Sequence, residues 1–221
     1  MIPVIICSHN RTKLLKQSIE SLKKNSVHEL QIIVVDDSNN KETLDYLKTV
    51  EGITYYHVNG PTTIGISWII GAAMAKPSEF IYFATEDIYY LPLWDKYVVG
   101  ALEQYDDLVI TGGYGLHLAT DPRPIYDLNV KDTTLQAGFG IMMRQKDWHE
   151  WGYFPNDDED SWIGYEAKAR TGKKIGVIDP PVIVHTGLTS THPVNSKTSD
   201  IPYDSETIEA SQVKYPEVYF E

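Results

Sequence analysis

A single cysteine, Cys7, is all the thiol this chain carries, which excludes an internal disulfide framework and any multi-cysteine zinc or iron–sulfur site. Long apolar runs are also missing. No stretch approaches the roughly 18 continuous apolar residues of a membrane span, and the short apolar opening lacks the basic flank of a leader. Basic residues are scarce: 19 Lys and Arg face 31 Asp and Glu, a formal net charge of −12. No broad positive field therefore draws the protein onto a phosphate backbone or an anionic membrane, although a local nucleic-acid contact stays open. Repeats and low-complexity runs are absent. What is there, 221 residues of which 42% are hydrophobic and 23% charged, makes one globular domain or a domain with a tail. A soluble, cytoplasmic protein is the expectation.

The first half alternates two hydrophobic periods. Val4 to Ile6 is apolar and β-branched, and Leu14, Leu15, Ile19 and Leu22 then recur at helical spacing. Ile32 to Val35 is apolar on both faces, as a central parallel strand must be, and stops at the polar run Asp36 to Asn40. A helix with Leu44, Leu47 and Val50, a strand over 53–58, a helix over 66–75 ended by Pro77 and a strand over 80–83 continue the pattern. The order predicts an α/β sheet with right-handed crossovers. Further on, strands are expected at 108–111, 138–143 and 182–184, helices at 145–151 and 162–170, and a long loop over 112–134. From Thr186 onward Thr, Ser, Asp and Pro dominate, which suggests a tail or lid wrapped on the domain.

In open α/β sheets ligands bind at the carboxyl ends of strands. Three such ends are polar here: Ser8-His9-Asn10-Arg11, Asp36-Asp37 and Glu86-Asp87. The first turn lacks the Gly-x-Gly-x-x-Gly of a dinucleotide site, which argues against a nicotinamide or flavin enzyme. It offers instead side-chain donors and acceptors suited to a nucleobase or ribose, with Asp36-Asp37 able to accept from base N–H groups or sugar hydroxyls; helix and turn capping is the plainer alternative. Glu86 and Asp87 are adjacent acids whose repulsion a hard cation such as Mg²⁺ or Mn²⁺ would relieve, and a solvated acidic turn is the competing reading. His185 closes an apolar strand and is either a packed histidine or a ligand. The acidic run Asp157 to Asp160 is flanked by Trp148, Trp151, Tyr153, Phe154 and Trp162, either a sugar cleft with stacking rings or ordinary core aromatics.

Taken in order, these pieces resemble the GT-A glycosyltransferases, in particular the family 2-like inverting enzymes. Pro3 to Arg11 looks like that family's opening strand and Asn-Arg turn, Ile32 to Ser38 like its second strand with the Asp pair, and Phe80 to Asp87 like the strand that delivers the metal motif. Trp151-Gly152-Tyr153-Phe154 resembles the turn ahead of the acceptor site, Glu159-Asp160 the pair holding the general base, and Val184-His185 the strand-end metal histidine. The resemblance implies a GT-A, Rossmann-like mixed sheet flanked by helices. It divides into a nucleotide-binding half over about 1–111, an acceptor-binding half over about 112–187, and a C-terminal tail over 188–221 packing on the domain.

By the same resemblance, Ser8, Asn10, Arg11, Asp36, Asp37, Gly65 and Glu86 bind the nucleotide, and Glu86, Asp87 and His185 hold Mn²⁺ or Mg²⁺. Asp160 serves as base, with Glu159 and Asp158 beside it. The implied reaction moves a sugar from a nucleoside-diphosphate sugar, UDP-linked by the family's habit, to an acceptor hydroxyl with inversion. The acceptor stays open among a glycan, a protein, a lipid-linked sugar and a modified nucleobase. Ala84 falls where the motif's first acid is usual, which keeps a non-catalytic sugar-nucleotide-binding domain as an alternative. A sugar-phosphate nucleotidyltransferase is another, although no glycine-rich basic loop follows Val4 to Cys7.

Overall fold

A computed structural model of the chain describes residues 1–113, 115–118, 122–136, 140–151, 159–187, 217 and 219, without the side chains of 115–118, 134–136 and 159–162. The first half runs β1 (Ile2–Ser8), α1 (Thr12–Asn25), β2 (Leu30–Asp36), α2 (Lys41–Thr49), β3 (Ile53–His57), α3 (Ile64–Met74) and β4 (Phe80–Thr85). These four strands are parallel, in the order β3-β2-β1-β4. Their side chains alternate between two cores: Val4, Ile6, Val34 and Tyr82 on one face, Ile5, Ile33, Ile81 and Phe83 on the other. Both faces of β1, β2 and β4 are buried, and these strands therefore read as unbroken apolar runs rather than alternating ones, whereas β3, at the sheet edge, is largely exposed.

The helices divide with the direction of travel. While the chain moves outward from β1 to β3, α1 and α2 place Leu15, Ile19, Leu22 and Leu47 in one core; when it returns across β1 to β4, α3 places Trp68 and Ala72 in the other. That reversal opens a crevice between the carboxyl ends of β1 and β4, the place where such sheets bind ligands. Gly71 lets α3 settle on β1, since a Cβ there would overlap Ile5 Cγ2.

The second half adds β5 (Ile88–Tyr90), α4 (Trp94–Gln104), β6 (Leu108–Gly112), β7 (Gly115–Leu118), β8 (Arg123–Ile125), β9 (Leu128–Gln136), β10 (Gly140–Arg144), α5 (Gln145–Trp151), α6 (Glu159–Thr171), β11 (Lys174–Asp179) and β12 (Ile183–His185). β10 joins the halves by pairing antiparallel with both β4 and β6, and the sheet continues through β11 and β9 to β7. A separate two-stranded sheet pairs β12 with β5, His185 opposite Ile88. The expected mixed sheet flanked by helices is the one observed.

One expectation needs correction. Residues 112–134 are not one long loop, because β7, β8 and the start of β9 fall there. The strand signal is hidden by charges that serve as cross-links: Arg123 reaches Asp107 at 2.6 Å and Asp132 at 2.7 Å, and Lys131 reaches Asp179 at 2.6 Å. Three elements, β5, α4 and β11, went unread. Of the two readings left open for the aromatics, Trp148 and Trp151 take the core one, 5% and 6% exposed, with the Trp148 ring 4.3 Å from that of Phe83.

Tyr153 and Phe154 lie outside the described residues, as does most of the expected tail. Within that tail, Tyr219 exchanges backbone hydrogen bonds with the Gln17 side chain on α1. Among the described residues no helix is long and apolar enough to cross a membrane.

Candidate active site

At the end of β1 the chain turns sharply through Asn10, whose φ of 59° lies in the left-handed region that asparagine tolerates better than most residues. Polar side chains hold this turn. Asn10 N donates to Ser38 Oγ at 2.7 Å, while Asn10 Oδ1 accepts from Asn39 N at 3.0 Å and Asn40 N at 3.2 Å. Ser38 is fixed in turn by donating to Asp36, whose other oxygen lies 3.0 Å from His57 Nδ1. Asp36 is fully buried and its carboxylate is engaged by protein groups. Asp37 accepts from Thr62 N at 2.7 Å and sits 2.7 Å from His9 Nδ1. The two acids expected to grip a nucleotide therefore also knit the ends of β1, β2 and β3 together.

Ser8 remains open to a ligand role: its hydroxyl is buried and has no partner among the described residues. Gly65 lies in the first turn of α3, whose N-terminus faces the same end of the sheet through the Cys7 Sγ contact to Ile64 O at 3.7 Å. A helix N-terminus there favours an anion.

Across the crevice, Glu86 and Asp87 part company. Asp87 meets Arg11 Nη1 at 2.6 Å and His185 Nε2 at 3.2 Å, both at Oδ2, while Thr85 Oγ1 donates to its other oxygen. Glu86 points back to the β1 turn, its Oε1 3.4 Å from His9 N and 3.9 Å from Arg11 Nε. Of the expected set of Glu86, Asp87 and His185, the structure brings Asp87 and His185 into contact, while Glu86 faces the β1 turn. Among the described residues, no group of three or more His, Cys, Asp or Glu forms a cation site.

Electrostatics separates the two acids as well. Burial, reinforced by the neighbouring Asp87 charge, pushes Glu86 up to about 8 in spite of Arg11. Burial alone would also raise Asp87, but His185, Thr85 and Arg11 outweigh it and hold that carboxyl well below the usual range.

His185 arrives from nearly a hundred residues away because β12 pairs with β5, and Thr186 fastens the junction by donating both N–H and Oγ1 to Asp87 O at 2.8 and 2.9 Å. Gly187 follows where only a hydrogen fits: a Cβ there would overlap Asp87 Oδ2 and stand 2.8 Å from Arg11 Nη1. Sequence reasoning gave no site role to Thr85 or His57, and took His9, Thr186 and Gly187 only as parts of the β1 turn and of the segment after His185. The Thr-Gly after a strand-end histidine was the one legible signal. Of the expected bases, Glu159 and Asp160 begin α6 with their side chains outside the described set, and Asp158 lies outside the described residues altogether.

A mixed sheet flanked by helices, with its polar site at the β1–β4 reversal, matches the GT-A glycosyltransferase fold. The sequence model of Glycosyl transferase family 2 matches residues 4–162, and the chain belongs to that family. Solved structures agree on the fold. GalNAc-T7, crystallised with UDP, GalNAc and Mn²⁺, superposes with a TM-score of 0.70 at 18% identity, covering 84% of this chain and 43% of that one. TarS of S. aureus gives 0.64 at 18% identity over 82% of this chain and 36% of that one. A shorter TarS, residues 1–349 with UDP, gives 0.62 at 19% identity over 82% and 59%. The chain thus spans less than two thirds of each of these neighbours. No curated relative matches the sequence.

Proposed function

We propose that the protein transfers a sugar from a nucleoside-diphosphate sugar, UDP-linked, to a hydroxyl-bearing acceptor with inversion at the anomeric carbon. The observation that carries this reading is the convergence of Asp87 and His185 at the sheet's ligand-binding crevice in a chain of glycosyl transferase family 2. The donor set suits a divalent cation: an ionised carboxylate and an imidazole 3.2 Å apart, both largely buried. Mg²⁺ and Mn²⁺ commonly take only one or two protein groups and complete their shell with substrate phosphates. When bound, the cation would neutralise charge on the departing diphosphate as a Lewis acid.

The remaining roles fall to side chains. Ser8, Asn10, Arg11, Asp36, Asp37, Gly65 and Glu86 shape the nucleotide pocket, and binding energy spent on that remote group orients the reactive carbon. Asp160, on the first turn of α6, accepts the acceptor's proton as the glycosidic bond forms, with Glu159 and Asp158 beside it. Tyr219, which falls in the expected tail, is held on α1 through its contact with Gln17.

Incubating the protein with a panel of nucleotide sugars and Mn²⁺, and identifying the released nucleotide, tests the proposal. Free nucleoside diphosphate with a glycosylated acceptor is expected. Pyrophosphate would mark nucleotidyl transfer instead, and thermal stabilisation without turnover would mark a binding domain.

A further inference from the structure

Arg11 belongs, by its motif, to the nucleotide side of the crevice, yet its guanidinium is spent on the opposite wall. The side chain is only 9% exposed; Nη1 lies 2.6 Å from Asp87 Oδ2, the same oxygen that faces His185, and Nε lies 3.9 Å from Glu86 Oε1. Gly187 presses on this contact from above, with no room for a side chain beside either partner. A full positive charge is therefore packed against the one carboxylate that the cation reading requires.

We propose that Arg11 is a resident counter-cation for Asp87, exchanged between two anions: it neutralises the metal carboxylate in the free protein and moves to the diphosphate when nucleotide and divalent cation bind. This rests on the metal-dependent reading given above. The physical argument is charge balance. A buried, ionised Asp87 tolerates its enclosure only with positive charge at hand, and Arg11 supplies a permanent one at 2.6 Å, on the same oxygen that His185 faces at 3.2 Å. A divalent ion at Asp87 and His185 makes the guanidinium superfluous there and repelled, while the diphosphate brings new negative charge into the same crevice. Guanidinium is suited to the change, since its planar fork matches carboxylate and phosphate oxygens alike. Arg11 would then couple the two ligands, each binding more tightly because the other has freed or occupied it.

Mn²⁺ titrations of the full chain followed by electron paramagnetic resonance, with and without UDP, test this in wild type, Arg11→Gln and Arg11→Lys. Without nucleotide, Arg11→Gln should bind Mn²⁺ more tightly by roughly 5- to 150-fold, the span of ordinary coupling between ligands. The factor by which UDP strengthens Mn²⁺ binding should shrink in the same variant, and Arg11→Lys, which keeps the charge, should stay near wild type.

Unchanged or weaker Mn²⁺ binding in Arg11→Gln, with the UDP effect intact, overturns the proposal while leaving glycosyl transfer standing. Failure of the wild-type protein to bind Mn²⁺ under any condition overturns both. If Arg11→Gln does not fold, a crystal structure of the wild type with Mg²⁺ and UDP decides: an Arg11–Asp87 contact kept at its present length beside bound metal is incompatible with the exchange.

Discussion

Side by side at one strand end, Glu86 and Asp87 are displaced in opposite directions because only Asp87 receives a threonine hydroxyl, a histidine and a close guanidinium. For Glu86 the folded state raises the carboxyl from an ordinary 4.5 to about 8, so in that window the native protein keeps a proton that the unfolded chain releases. Stability contributed at this position is therefore greatest at low pH and falls as pH rises through the window. Glu86→Gln should flatten the decline in melting temperature between pH 5 and pH 8, measured without added metal, and should melt above wild type at pH 8. An identical slope in both proteins would refute the assignment.

Gly187 gives a steric counterpart. Gly187→Ala forces Asp87 off Arg11 and His185, and kcat/KM should fall by roughly 10²-fold, the effect of misplacing a reacting group by about 1 Å. Retained Mn²⁺ affinity in that variant would show that the carboxylate has room the structure does not give it.

Elements meet through a few buried charges. Asp95, in the first turn of α4 and fully buried, accepts from Val27 N at 3.1 and 3.0 Å and from His28 N at 2.8 Å, which pins the connection between α1 and β2 onto α4. Asp95→Ala leaves these donors without their acceptor and should cost about 1–3 kcal/mol, read as a lower midpoint in urea unfolding with an unchanged slope. On the opposite face, α6 carries Asp160 at its second residue while Ile163 and Ala167 anchor the helix in the core. Asp160→Asn should lower kcat by about 10²- to 10⁴-fold, the worth of a general base, while UDP binding by calorimetry stays near wild type. Undiminished turnover would move the base role to Glu159 or Asp158.

The same scale shows what patterning conveys. The runs Val4 to Ile6, Ile32 to Val35 and Phe80 to Phe83 announced β1, β2 and β4 because both faces of each are buried. β9 stayed hidden because Lys131 and Asp132 interrupt it, and those charges are satisfied on neighbouring strands, by Asp179 on β11 and Arg123 on β8. α4 was legible in principle, since Trp94, Tyr97, Val98, Ala101 and Leu102 follow helical spacing and are all buried.

At the scale of the whole molecule, the path of the chain makes the site. β1, β2 and β3 step away from the centre, β4 comes back on the other side, and β12 folds over to pair with β5, so that three remote segments end within one crevice. A cation bridging that crevice should tie the segments together. EDTA treatment should therefore abolish transfer and lower the melting temperature measured in the presence of UDP, and Mn²⁺ should restore both. Full turnover in EDTA would count against the Asp87–His185 site.

By itself the sequence determined the parallel half of the sheet, the polar strand ends and the family motifs, because burial on two faces and turn chemistry are local properties written in short runs of residues. Tertiary structure decided the rest: that Asp36 is enclosed by Ser38 and His57, that Glu86 turns to the backbone of His9, and that Arg11 and His185 share one oxygen of Asp87. Those outcomes depend on which charge lies nearest in space. No spacing along the chain encodes that distance until β4, β5 and β12 have been brought together.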